Sequence, residues 1–286
     1  MSDIEPVERT LDIGDAVIDY LDYECGGPPL LLLHATGFMP RLWHPVAKEL
    51  FGSFRVIAPY FCAPRDSDPE KGGLSWKQIA EDLVAFCRRL GIARPYVAGH
   101  SMGGAVAVIA AGALGMEMEG MVLIEPIILP ESFYNVKIGV DDHPLASKSI
   151  RRRNHWKTRE EAMQYLESKP LFQRWDKEVL ELYIQYGMVD SEQGGLCLDC
   201  HPRQEASLFM GSMHYNPWQV IPKISCPVLV LEGENTENRG FIDFKKPAGL
   251  FARGRHQVVA DAGHLIPMEK PGETAFIIKR FLRHER

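Results

Sequence analysis

Gly99-His100-Ser101-Met102-Gly103-Gly104 follows the apolar run Pro95-Tyr96-Val97-Ala98 and leads directly into the Ala-rich segment 105–115, AVAVIAAGALG. A serine flanked by glycines two positions away on either side, at the junction of a strand and a helix, predicts a sharp strand-to-helix turn. Small residues at those positions let the backbone bend without a Cβ clash and leave the serine Oγ exposed above a sheet. The stretch does not fit a phosphate-binding loop. Ser101 occupies the third, glycine-demanding place of G-x-G-x-x-G, and no Lys-Ser/Thr follows.

On both sides of this turn, apolar strands alternate with amphipathic helices. Pro29-Leu30-Leu31-Leu32-Leu33 is too short for a free-standing helix and too uniformly apolar for a half-exposed strand, so it predicts a strand covered on both faces. RVIAPY (55–60), the helical WKQIAEDLVAFCRRL (76–90), PYVAGH (95–100), the helical 105–115 segment and GMVLIEP (120–126) then follow in βαβαβ order, which predicts a parallel sheet. Ser75 is placed to cap the 76–90 helix and Gly91 to close it after Arg88-Arg89. Upstream, ERTLDIG (8–14) and AVIDYLDY (16–23) mix apolar and polar residues around Gly14-Asp15 and predict an antiparallel hairpin at the sheet edge.

Between Pro130 and Pro222 the pattern changes to helices without intervening buried strands, as in TREEAMQYLES (158–168) and KEVLELYIQYGM (177–188). Alternation resumes with CPVLVLEGE (226–234), a helix near FKKPAGLFA (244–252), the strand HQVVADAG (256–263) and a last helix, GETAFIIKRFLRHE (272–285). The expected organisation is a core formed by 1–129 and 223–286, interrupted by a helical insert at 130–222.

A serine hydroxyl needs a base to become a nucleophile. His264, in Asp261-Ala262-Gly263-His264, sits between the last strand and the last helix, 163 residues beyond Ser101. Of the ten histidines it alone has that placement. Donors for a developing oxyanion are expected from the N–H of Met102 and from Thr36 in the loop His34-Ala35-Thr36-Gly37-Phe38 after the Leu30–Leu33 strand. His34 and His100 lie beside this site and are read as orienting and packing residues.

On these residues the chain resembles the α/β-hydrolase fold serine hydrolases, over roughly residues 10–286. The resemblance implies an α/β protein: a mostly parallel eight-stranded sheet flanked by helices, with 130–222 as a helical cap inserted between the sixth and seventh strands. It also implies a catalytic triad in the order nucleophile, acid, histidine. The triad acid is where the sequence departs. Relatives carry an aspartate after the seventh strand in a G-x-x-D pattern, whereas Gly233-Glu234-Asn235-Thr236 has threonine there. Glu237 is next door, Glu232 lies just before, and Glu125, in Leu123-Ile124-Glu125-Pro126-Ile127, resembles the M-E-A-I catalytic glutamate of haloalkane dehalogenases.

A carboxylate at the end of an apolar buried strand is costly unless paired, which favours Glu125 as the acid. Dehalogenase chemistry does not carry over, because Ser101 stands where those enzymes have an aspartate nucleophile. In the donor loop, Thr36 takes the donor place of the H-G-x-P-G pattern of relatives and Ala35 replaces a glycine. After RVIAP, Tyr60-Phe61-Cys62-Ala63-Pro64-Arg65-Asp66-Ser67 departs from D-x-R-G-H-G-x-S, so altered local geometry is expected there.

The reaction expected is hydrolysis of a carboxylic ester, thioester or lactone-type bond in a small, largely apolar molecule. Ser101, His264 and Glu125 act as triad, Met102 and Thr36 as oxyanion donors, and no cofactor or metal is called for. A subset of the insert's aromatics and methionines, from Trp156 to Trp218, would line the pocket. One alternative is carbon–carbon bond hydrolysis or a lyase reaction, which needs polar anchors; Arg65 and the run Arg151-Arg152-Arg153, otherwise a solvated charge run, are the candidates. Another is a non-catalytic ligand-binding protein that keeps the fold.

Composition narrows the field further. The 286 residues are 45% hydrophobic and 24% charged, which excludes a disordered or fibrous chain. With 32 basic and 38 acidic residues the net charge is −6, so nucleic acid is not an expected partner. The first residues are acidic and polar, and no apolar stretch is long enough to span a membrane, so a cytoplasmic protein acting as monomer or homodimer is expected. The six cysteines are read as reduced; Cys197-Leu-Asp-Cys200-His201 matches a C-x-x-C-H haem pattern by coincidence, with Pro202 following directly.

Overall fold

A computed structural model describes residues 4–62, 65, 67–134 and 136–284. The first part of the chain forms β1 (Val7–Asp12), β2 (Val17–Tyr23), β3 (Pro29–Leu33), α1 (His44–Leu50), β4 (Arg55–Pro59), α2 (Trp76–Arg89), β5 (Tyr96–His100), α3 (Met102–Gly112) and β6 (Gly120–Ile124). Next come α4 (Ala146–Arg151), α5 (Arg159–Glu167), α6 (Lys177–Tyr186), β7 (Met188–Asp190), β8 (Leu196–Leu198) and α7 (Pro202–Met210). The last part contributes β9 (Val228–Gly233), α8 (Lys245–Leu250), β10 (Gly254–Val259), α9 (Ile266–Glu269) and α10 (Pro271–His284).

Eight strands build one sheet in the order β1-β2-β4-β3-β5-β6-β9-β10. β2 runs antiparallel to both β1 and β4, and the remaining pairs are parallel, so the predicted mostly parallel sheet with an edge hairpin is what forms. Successive strand side chains point to opposite faces, and the core divides accordingly. Leu31, Leu33, Val97 and Leu123 pack with α2 and α3, while Leu30, Leu32, Ala98 and Val122 pack with α1 and α10. The Leu30–Leu33 run is apolar throughout because both faces are covered. Ser75 caps α2 by accepting the Lys77 N–H, and Gly91 closes it at φ 69°.

Among its described residues the segment between β6 and β9 adds no strand to this sheet, but it is not purely helical. β7 and β8 form a small antiparallel hairpin, turned through Gly194 and Gly195 and extended by a bridge between Trp156 and Leu196. Three-residue strands are too short for a two-residue period to register in the sequence. The C-x-x-C-H stretch also has a structural account: Cys197 lies in β8, and His201 caps α7, its Nδ1 accepting the Arg203 N–H while Gln204 Oε1 accepts the His201 N–H.

Two of the arginines offered as candidate anchors for the alternative reaction are engaged in the fold. Arg65 binds Asp82 of α2 through both Nε (2.9 Å) and Nη2 (2.7 Å) and also reaches Asp15 (2.8 Å), so it ties the loop after β4 to the helix layer. Arg152 is not part of a solvated run: its Nη1 donates to Glu205 of α7 at 2.8 Å. The expected local change at 60–67 falls partly on Ala63, Pro64 and Asp66, which lie outside the described residues. Among the described residues no helix is long and apolar enough to cross a membrane.

Asp82 is almost fully buried and depends on Arg65 for its charge compensation. Arg65→Ala is therefore expected to destabilise the fold by about 3 kcal/mol, since it strands a buried charge. Urea unfolding of the variant beside the wild type measures this.

Candidate active site

β5 ends at His100 and α3 begins at Met102, so the chain reverses on Ser101 alone, at φ 54° and ψ −112°. A non-glycine residue held at such angles stores strain of about 1–3 kcal/mol. The neighbourhood leaves it no alternative. Ser101 N–H donates to the Ile124 carbonyl of β6 at 2.9 Å. A Cβ at Gly99 would lie 2.6 Å from the Gly103 carbonyl, and one at Gly103 would lie 2.4 Å from the Leu33 carbonyl oxygen. The glycines are thus demanded by close backbone approach, not by their own dihedral angles, and the approach seats the start of α3 on the end of β3.

His264 is carried by the loop between β10 and α9. Its Nε2 lies 3.1 Å from Ser101 Oγ and its Nδ1 lies 3.2 Å from Glu125 Oε2. Glu125 follows the last residue of β6, at φ 47°, and is completely buried. Its carboxylate accepts the Gly233 N–H at 2.7 Å through Oε1 and the Thr236 hydroxyl at 2.8 Å through Oε2. Two donors from the β9 end, with the imidazole beside them, surround a charge that burial would otherwise penalise.

The other carboxylates considered for this role are elsewhere. Glu237 is exposed at the start of the turn Glu237–Gly240. Glu232 is buried but committed to Arg239 Nε at 2.5 Å and His256 Nε2 at 2.7 Å. Thr236 and Asn238 were not singled out by the sequence, yet both belong to the site: Thr236 donates to Glu125, and the Asn238 side-chain amide lies 2.9 Å from His264 Nδ1. The signal for Thr236 was a hydroxyl at the place where a carboxylate is usual.

Met102 opens α3, so its N–H belongs to the first helical turn, where amides have no intrahelical acceptor. Thr36 is buried in the loop after β3, in a turn closed by Phe38 N–H to the Ala35 carbonyl (3.2 Å) around Gly37 at φ 75°. His34 braces that loop: Nδ1 pairs with the Ala35 carbonyl at 2.8 Å, and Nε2 accepts the Phe61 N–H at 2.9 Å. Burial pushes His34 down to about 4, which keeps it neutral. His100 is also held neutral, well below the ordinary histidine range, by burial and by the neighbouring His264; its Nε2–H donates to the His264 carbonyl at 2.9 Å and so fixes the backbone that carries the His264 imidazole.

The aromatics of the insert gather over the same loop. Phe38 meets Trp175 and Tyr183 with ring centroids 5.5 and 6.0 Å apart, and Phe172 packs on Trp175 at 4.9 Å. Leu265, next to His264, joins the same cluster. Phe209 and Met210 instead pack with α4, and Trp218 joins the core against the α2–α3 side.

Residues 30–275 match the model of the alpha/beta hydrolase family. The chain belongs to that family. Hydrolase function goes with it, and the fold is shared widely. An abhydrolase domain-containing protein, AFT2-1, of Alternaria alternata is 27% identical over 223 residues, covering 65% of this chain and 82% of that one. A thermophilic esterase from Thermogutta terrifontis, solved with malate bound, is 25% identical with a TM-score of 0.70 over 98% of each chain. The structure of E-2-(acetamidomethylene)succinate hydrolase superposes with a TM-score of 0.79 at 18% identity, covering 98% of this chain and 100% of that one.

The depressed His34 has a measurable consequence. As pH falls below 6.5 the unfolded chain takes up a proton at this histidine, whereas the folded chain does so only near 4, so stability is lost across that window. His34→Gln is expected to lose about 2 kcal/mol less than the wild type between about pH 7 and pH 5, as read from urea unfolding at the two values.

Proposed function

We propose that this hydrolase cleaves a carboxylic ester, thioester or lactone bond of a small, largely apolar molecule through an acyl-serine intermediate, with residues 130–222 acting as a cap over the site. The supporting observation is the unbroken relay Ser101 Oγ–His264 Nε2–Glu125 Oε2, at 3.1 and 3.2 Å, on a buried carboxylate that already has two backbone and hydroxyl donors.

In this reading Ser101 Oγ attacks the carbonyl carbon as its proton passes to His264 Nε2, and the carbonyl oxygen becomes an oxyanion. The amides of Met102 and Thr36 hold that charge; loss of one such donor costs about 3 kcal/mol of transition-state stabilisation. Glu125 accepts from Nδ1–H, which fixes the tautomer with a free lone pair on Nε2 and stabilises the imidazolium once formed. The imidazolium returns its proton to the leaving oxygen or sulfur. Water then gives a proton to His264 and its hydroxide to the acyl carbon, and His264 passes that proton to Ser101 Oγ as the acyl bond breaks, releasing the acid. The aromatic cluster of Phe38, Phe172, Trp175 and Tyr183 supports an apolar acyl or leaving group.

The test is active-site labelling by a fluorophosphonate, followed by intact mass. Wild type is expected to gain one adduct and Ser101→Ala none. Glu125→Gln is expected to label roughly 10²–10⁴-fold more slowly, because an amide at this place favours the wrong imidazole tautomer. Glu237→Gln is expected to label within about twofold of wild type, as an exposed residue outside the relay should. Absence of an adduct on folded wild type overturns the reading.

A further inference from the structure

His264 Nδ1 has two side-chain neighbours. The Asn238 amide lies 2.9 Å away, inside the 3.2 Å of Glu125 Oε2. One ring nitrogen bears either a proton or a lone pair, and the two states ask opposite things of Asn238. With a lone pair on Nδ1, the amide would donate to it. That lone pair would then face a buried carboxylate oxygen, and the proton would sit on Nε2, where it blocks transfer from Ser101. With a proton on Nδ1, Glu125 is satisfied, but an amide nitrogen at 2.9 Å sets donor against donor. A half-turn of the amide exchanges its nitrogen and oxygen with almost no change of shape and removes that conflict.

We infer that Asn238 presents Oδ1 to His264 Nδ1–H and shares that proton with Glu125, acting as a second positioning residue for the base. The inference rests on the Ser101–His264–Glu125 reading above. The local backbone is built for it. Thr236 Oγ1 accepts the Asn238 N–H at 3.3 Å while its own proton goes to Glu125 at 2.8 Å, so one hydroxyl sets both acceptors relative to each other. The Asn238 carbonyl in turn accepts the N–H groups of Phe241 (3.0 Å) and Ile242 (2.9 Å), which pins the turn. A neutral amide adds an acceptor without a second negative charge beside buried Glu125, where two carboxylates would push one another toward protonation.

The charged and titratable groups around the ring are few. Glu125 comes from the β6 end, and His100 from β5, neutral, with its ring centroid 5.0 Å from that of His264. Arg239 is taken up by Glu232, and Glu269 of α9 accepts the Gly263 N–H and pairs with Arg174. Of these only Glu125 also reaches Nδ1, and it is the group with which Asn238 shares the proton.

The experiment compares wild type, Asn238→Ala and Asn238→Asp by fluorophosphonate labelling rates from about pH 5 to 9 and by ¹⁵N–¹H spectra of histidine-labelled protein. Expected are an Nδ1–H tautomer at His264 in the wild type, labelling about tenfold slower in Asn238→Ala with its acid limb moved to lower pH, and an acid limb about one pH unit higher in Asn238→Asp. An Nε2–H tautomer in the wild type, or Asn238→Ala that labels within twofold of wild type on an unmoved pH profile, overturns the inference. Should Asn238→Ala not fold, the near-isosteric Asn238→Asp decides: an unmoved acid limb overturns it. Failure of the triad reading looks different, since wild type and Ser101→Ala would then label alike while the His264 tautomer stays readable in the spectra.

Discussion

The buried carboxylate of Glu125 joins three segments that are far apart in sequence. It closes β6, takes the Gly233 amide at the end of β9 and the Thr236 hydroxyl just beyond, and meets the imidazole on the loop after β10. Moving such an ion out of water costs several kcal/mol unless donors surround it, so the three segments are positioned by a shared electrostatic requirement. The sheet order explains why the charge can start from β6. β6 and β9 are hydrogen-bonded neighbours, with Ile124 opposite Leu231, and adjacent strands lie about 4.8 Å apart. A carboxylate shifted by one strand therefore still reaches the same imidazole. The place it leaves after β9 is then filled by a group of opposite hydrogen-bonding sense: Thr236 donates where an acid would accept.

The reversal at Ser101 is the other side of this construction. Ser101 and Glu125 both stand at positive φ on the ends of neighbouring parallel strands, and they are tied together: the Ser101 amide donates to Ile124, and the Ile127 amide donates to the Ser101 carbonyl at 3.3 Å. Strain at one position is held in place by the other. Gly99 and Gly103 permit this only because they have no side chain to separate α3 from the sheet.

The parts legible in the sequence are those written in local pattern. The two-sided burial of Leu30–Leu33, the period of the 76–90 helix and the serine between glycines each signal their element within a few residues, because neighbours along the chain cause the effect. The roles of Thr236 and Asn238 were not legible: their partners arrive from β6 and from the loop after β10, and a turn such as Glu237–Gly240 has no period to announce its direction. The fold contacts of Arg65 and Arg152, candidate anchors only for the alternative reaction, are hidden for a related reason. Charge and spacing along the chain do not reveal that Asp82 and Glu205 wait on facing helices.

The segment between β6 and β9 is fastened to the sheet core on two sides, one with mainly directional polar contacts and one with a larger apolar share. On one side the contacts are polar and directional: Trp76 Nε1–H donates to the Leu208 carbonyl at 2.8 Å, Leu74 N–H to Ser207 Oγ at 3.0 Å, and the Tyr60 hydroxyl to Asp199 at 2.6 Å. On the other side Phe172, Trp175 and Tyr183 cluster with Phe38, Met39 and Leu265, and polar ties run at the edge from Arg174 to Glu269 (2.9 Å) and from the Asp176 N–H to the Met268 carbonyl (2.8 Å). Hydrogen bonds fix a register, whereas apolar packing tolerates exchange of one shape for another of similar volume. The second side is the one that backs both the Ala35–Phe38 loop and the His264 loop. Changes of aromatic shape there would alter the packing behind both loops while the Ser101–His264–Glu125 contacts, held by core strands and a buried charge, keep their geometry. In the function proposed above, chemistry and selectivity would thereby rest on separate parts of one fold.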